Sequence, residues 1–88
     1  MFYKIKSITL QKKYIINVNF INGITKKYDI SSLFDKYPIF KKLENDDIYY
    51  SCSIDKGGYA IIWDDSLDIS CNELWQNGVT IEPPFNNL

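Results

Sequence analysis

Two alternating stretches open the chain. From Tyr3 to Leu10 and from Tyr14 to Phe20, apolar and polar positions alternate with β-branched and aromatic residues prominent, and the polar Gln11-Lys12-Lys13 lies between them. This predicts a β-hairpin. A second turn is marked by Asn22-Gly23, and the apolar face decides its length. A three-residue loop, Ile21-Asn22-Gly23, sets Phe20 against Ile24, Ile16 against Tyr28 and Tyr14 against Ile30. A two-residue loop would instead put Ile16 and Val18 on one face with Lys27 and Asp29. Only the longer loop keeps the apolar face continuous, so Gly23 is expected in the left-handed region of a bulged turn, with Lys26 as the one polar intrusion opposite Val18.

After Ile30 the alternation stops. Leu33, Phe34, Tyr37, Phe40 and Leu43 recur at three- and four-residue spacing around Pro38. Proline cannot donate a backbone hydrogen bond and disfavours the α conformation at the residue before it, so two short helical pieces are expected, Ser32 to Asp35 and Ile39 to Leu43. Alternation returns at Tyr50, Cys52 and Ile54, then again from Tyr59 to Trp63 beyond Asp55-Lys56-Gly57-Gly58. A four-residue loop pairs Ile54 with Tyr59, Cys52 with Ile61 and Tyr50 with Trp63 in a second hairpin. Ser70-Cys71-Asn72-Glu73 has the spacing of a capping box, and Asn77-Gly78 reads as a left-handed stop about two turns later. Val79-Thr80-Ile81 has the residues for one more short strand, and Pro83-Pro84 ends any pairing.

The fold class that emerges is α+β: a mostly antiparallel sheet of about five strands in two hairpin units, with short helical segments packed on one face. Residues 1–82 are expected to form a single domain and 83–88 a C-terminal tail. The expected core is Ile5, Ile16, Val18, Phe20, Tyr28, Leu33, Phe40, Cys52, Ile61, Trp63 and Leu74.

Composition removes several classes. With 88 residues, 45% of them hydrophobic, fourteen Ile and fourteen aromatics, the chain is too apolar to stay disordered. Apolar runs reach only the four residues Ala60-Ile61-Ile62-Trp63, against roughly 20 for a membrane-spanning helix. Charges interrupt the first residues, so no signal or lipidation segment is legible and the expected compartment is the cytoplasm. The lack of His and the presence of only two cysteines, Cys52 and Cys71, leave no usual zinc set and no His-dependent triad. Both thiols are expected as small buried hydrophobes, not a disulfide.

A net charge of -1 conceals a segregation. Residues 1–42 hold nine of the ten Lys with Asp29 and Asp35, for +7, whereas residues 43–88 hold Lys56 and nine acids, for -8. One outcome is that the halves interleave in space and offset each other; another is an anionic partner for the basic half. Lys12 and Lys13, Lys26 and Lys27, and Lys41 and Lys42 form three basic pairs near Tyr3, Tyr14 and Tyr28, a composition also found on nucleic-acid-binding sheets. The expected pairing sends those tyrosines to the core face. The chain has no Arg, hence no bidentate fork for guanine or phosphate.

The densest acidic group is Asp64, Asp65 and Asp68, with Asp55 at the far end of the same hairpin. Its spacing does not fit an EF-hand, and a solvated, capping turn is the expected role. Gly57-Gly58 lacks phosphate-loop spacing and is read as a hairpin turn. Ser31, Ser32 and Ser51 have no candidate base. No catalytic residue, cofactor site or metal site follows.

The string Phe20-Ile21-Asn22-Gly23, Tyr28-Asp29-Ile30 with Leu33-Phe34, Asp55-Lys56-Gly57-Gly58-Tyr59 leading to Trp63, and Leu67-Asp68-Ile69-Ser70 before Glu73-Leu74 and Asn77-Gly78 resembles the bacterial domain-of-unknown-function family 2442. The resemblance runs from about residue 3 to residue 78. It implies a small α+β protein without established catalytic residues, often encoded beside another short protein in predicted toxin-antitoxin pairs, as the antitoxin partner. Some members add a helix-turn-helix domain, which these residues lack. The leading expectation is therefore a non-enzymatic module that binds a small protein partner, a toxin from the adjacent gene, through an exposed sheet edge or aromatic patch. Tyr49, Tyr59, Trp75 and Phe85 are its candidate anchors, because aromatics give large contact area for little lost freedom. The alternative is a nucleic-acid-binding regulator using the six paired lysines.

Overall fold

The computed structural model describes residues 3–81; the predicted tail, with Pro83, Pro84 and Phe85, lies outside them. The first three strands, β1 (Ile5–Leu10), β2 (Ile15–Phe20) and β3 (Thr25–Asp29), form an antiparallel meander. Its register is the one the apolar face requires: Ile16 opposes Tyr28 and Val18 opposes Lys26. Gly23 takes φ +91° in the connecting turn, where Asn22 Oδ1 accepts the Ile24 N–H at 3.0 Å. A bulge between Ile5 and Ser7 keeps Ile5, Ile8 and Leu10 facing inward with Phe20, Val18 and Ile16.

Two 3-10 segments follow, Ile30–Leu33 and Pro38–Glu44. Asp29 starts the first by accepting the Ser31 N–H at 2.9 Å. Pro38 starts the second, and Tyr37 before it has left the helical region at φ -134°, ψ 84°. Next comes α1 (Asp46–Tyr49), capped by Asn45, whose side chain accepts the Ile48 N–H at 3.2 Å and which is followed by two acids in the first turn. That cap corrects the expected strand at Tyr50. Tyr49 ends a helical turn, and the strand β4 is only Ser53–Ile54.

β4, β5 (Ala60–Asp64) and β6 (Leu67–Ser70) make a second antiparallel sheet in that order. In place of the five expected strands, the described residues form seven in two sheets. The β4–β5 register is also displaced by two residues, Ile54 opposing Ile61 instead of Tyr59. An even shift leaves every side chain on its expected face, so the apolar pattern could not detect it. The turn is wider because Asp55 reaches across it, its carboxylate accepting the Tyr59 N–H at 2.7 Å and its own N–H donating to the Ala60 carbonyl at 3.0 Å.

Ser70 caps α2 (Cys71–Asn77), accepting the Glu73 N–H at 3.1 Å. Gly78 ends the helix, though not in the left-handed conformation expected: it is extended at φ -76°, ψ 156°. Glycine is required there because a Cβ would stand 2.5 Å from the Leu74 carbonyl oxygen and 3.1 Å from Lys26 Cβ. The chain then returns as β7 (Val79–Thr80) to complete the first sheet, order β1-β2-β3-β7, with Lys27 opposite Val79 and Lys26 opposite Thr80.

The core lies between the sheets and under the helical segments. Every expected core residue is buried except Cys52, which is half-buried, and Ile30, Leu43, Tyr49, Leu67, Ile69 and Cys71 join them. Both cysteines are free thiols, their pKa values raised by burial. No helix among the described residues is long and apolar enough to cross a membrane.

The sheets are also tied through backbone. The Ile5 N–H donates to the Gly58 carbonyl at 2.8 Å. Gly58 has φ +80°, and a Cβ on it would sit 2.8 Å from the Ile5 carbonyl oxygen, whereas Gly23 has open space around it. Gly23→Ala is therefore expected to cost about 1 kcal/mol, the left-handed penalty alone. Gly58→Ala should cost about 3 kcal/mol, since strain and a backbone collision combine. Urea denaturation of the two variants checks the ordering.

Candidate protein-interaction groove

The aspartates singled out in the sequence serve as turn and cap groups. Asp64 accepts the Ser66 N–H at 2.8 Å and the Ser66 hydroxyl at 2.9 Å, and these bonds, with Lys42 at 3.4 Å, hold its pKa below the ordinary value. Asp55 closes the β4–β5 turn. Among the described residues no group of three His, Cys, Asp or Glu side chains is placed to share a metal ion.

One concavity lies elsewhere, between the 3-10 segments and the β6–α2 junction, with a volume of about 390 Å³. Leu33, Phe40 and Ile69 form its floor and are buried. Tyr37 and Ile39 stand on one rim with 49% and 42% of their surface exposed, a large fraction for such side chains. Local sequence puts them there. Pro38 forces Tyr37 out of helical geometry, and the tight 3-10 turn that follows turns Phe40 and Leu43 inward and leaves Ile39 outside.

Ser66, Asp68, Ser70 and Glu73 form the opposite rim. β6 alternates, burying Leu67 and Ile69 and exposing Asp68 and Ser70. The Glu73 carboxylate does not complete the capping box. It accepts instead from the Tyr28 hydroxyl at 2.7 Å and from Asn77 Nδ2 at 3.0 Å. Tyr28 is 2% exposed, and burial, reinforced by the adjacent Glu73 carboxylate, raises its pKa. Neither Asp68 nor Glu73 has a lysine within ion-pair distance, although Lys13 pairs with Asp46 and Lys42 with Asp64.

The aromatic anchors expected from sequence do not converge on this groove. Tyr49 is fully buried, its ring edge-on to Tyr14 at 5.8 Å, so it offers no contact surface. Trp75 is half-buried, stacked on Tyr3 at 3.9 Å and edge-on to Phe20 at 5.1 Å. Tyr59 is 41% exposed; its ring lies over Gly57, where a Cβ would come within 2.4 Å of it, and Lys4 sits 5.2 Å above the ring centroid. Phe85 falls outside the described residues. Tyr37 appeared in the sequence only as a member of a helical spacing, which marks a residue as facing inward and cannot say when a 3-10 turn sends it outward, and Ile39 only as the first residue of a helical piece.

The lysine pairs divide. Lys13 donates to the Glu44 carbonyl at 2.8 Å and pairs with Asp46, which raises its pKa. Lys26 donates to the Trp75 carbonyl at 2.5 Å, and Lys42 reaches Asp64. Lys12, Lys27 and Lys41 are exposed. One member of each pair is thus bound within the molecule. Lys12 and Lys27 flank a second hollow on the outer sheet face with Ile15, Asn17 and Ile81, but no aromatic lines it.

A family model described as protein of unknown function (DUF2442) matches residues 5–80. No curated protein and no solved structure matches the chain.

The two buried tyrosines give contrasting expectations. Among the described residues the Tyr49 hydroxyl has no hydrogen-bond partner, so Tyr49→Phe should be neutral or slightly stabilising, while Tyr28→Phe, which loses a bond to a carboxylate, should cost about 2 kcal/mol. Burial pushes the Tyr49 pKa up from 10.0 to about 12. Below pH 10 the phenol is protonated whether the chain is folded or not. Above it the unfolded chain loses the proton first, so stability should fall as pH rises through about 12. Urea midpoints measured at neutral and alkaline pH should show a shallower alkaline decline in Tyr49→Phe than in wild type.

Proposed function

We propose that this chain, which belongs to the DUF2442 family of proteins of unknown function, is a non-enzymatic protein-interaction module acting in the bacterial cytoplasm as the antitoxin-like partner of a small toxin protein. The observation that carries this reading is the groove itself, an apolar floor with Tyr37 and Ile39 exposed beside it. Exposed apolar side chains around a concavity lower the free energy most when a partner covers them. The groove fits occlusion: the module neutralises its partner by covering part of its surface, with Tyr37 and Ile39 as the anchors on offer.

The lysines favour this reading over nucleic-acid binding. Phosphate contacts require free cations along a track, and Lys13, Lys26 and Lys42 are spent on internal partners.

Co-expression with the product of the adjacent gene is expected to give a co-purifying complex and relief of the growth arrest which that product causes alone. Absence of both results overturns the proposal. Oligonucleotide binding should be weak, and a steep loss of tight binding with added salt would transfer the reading to the exposed lysines.

A further inference from the structure

We infer that the groove receives a segment of a partner protein in which a lysine or arginine stands beside a bulky apolar side chain. This rests on the interaction reading above and adds the chemistry of what is bound.

The argument starts from the two rim carboxylates. The chain contains ten lysines, and where the acidic half meets the basic half, Asp46 and Asp64 take Lys13 and Lys42. At the groove, two acids face the same hollow without a lysine: among the described residues Asp68 is exposed with no ion pair, and Glu73 accepts from the neutral donors Tyr28 and Asn77. Lys36, the basic residue adjacent to the rim, lies 5.9 Å from the Tyr37 ring centroid and pairs with neither carboxylate.

Glu73 is also fixed in place. One carboxylate oxygen accepts from the buried Tyr28 and the other from Asn77, so the side chain needs no further ordering to meet an incoming cation, and each oxygen keeps a second lone pair. Opposite lies the apolar surface of Leu33, Ile39 and Phe40.

This pairing selects among occupants. An acidic or phosphate-bearing segment would meet two like charges. A wholly apolar one would cover the carboxylates without replacing their water, which is unfavourable for each ion. A cationic polar segment would leave the floor wet. Only a side-chain pair that is both basic and apolar satisfies each wall of the groove.

The test pans a phage-displayed random heptapeptide library on the immobilised chain and measures the recovered peptides by fluorescence anisotropy. Recovered sequences should place Lys or Arg within two positions of Leu, Ile, Phe or Tyr. Asp68→Asn should weaken them at least about tenfold and Ile39→Asp should abolish binding, while Asp47→Asn, an exposed acid on α1 outside the groove, changes nothing. Recovery of acidic or purely apolar peptides, of none, or of peptides indifferent to Asp68→Asn overturns the inference. Both groove positions are exposed, and circular dichroism confirms that the variants fold. A co-purifying partner that binds an Asp68→Asn, Ile39→Asp double variant as well as wild type would leave the interaction reading standing and remove this one.

Discussion

β3 turns two polar side chains toward the interior, Lys26 and Tyr28, and the structure depends on how α2 receives them. The Lys26 ammonium lies 4.1 Å from the Trp75 ring centroid and donates to the Trp75 carbonyl, while the Tyr28 hydroxyl donates to Glu73. An inward polar group left without a partner costs on the order of 1–3 kcal/mol, so these contacts fix where α2 sits. Trp75 then stacks on Tyr3 and meets Phe20, clamping the helix to the meander. Glu73 is carried to the groove rim, and Gly78 lets the chain pass close to Lys26 and deliver β7.

The meander was legible because one face of it is unambiguously apolar. Lys26, the single exception, even marks where the helix must dock. Other elements were hidden for physical reasons. β6 has four residues, too few for alternation to stand out beside the turn-forming Asp64 and Ser66. Tyr49 and Tyr50 alternate with their neighbours as a strand would, but Asn45 and the two aspartates after it begin a helix first. The groove could not be read at all. Its walls come from segments about thirty residues apart, and a concavity arises from the distance between them, which periodicity does not encode.

The lopsided charge of the sequence is resolved by contact only in part. Lys13 reaches Glu44 and Asp46, and Lys42 reaches Asp64, so basic and acidic halves meet along the helical segments. Exposed pairs of this kind contribute little to stability. Among the charges left without an ion pair are one lysine of each basic pair, facing solvent, and two carboxylates beside an apolar hollow.

β7 has two residues, and by pairing with Lys26 and Lys27 it covers the open side of β3. An uncovered strand margin offers its N–H and C=O groups to any other chain, including an identical molecule. A very small patch of ladder thus stands between the margin of β3 and any other strand. Loss of those two residues would convert a self-contained sheet into a template for stacking copies, so trimming from this side endangers the colloidal behaviour of the molecule before it endangers the hydrophobic interior.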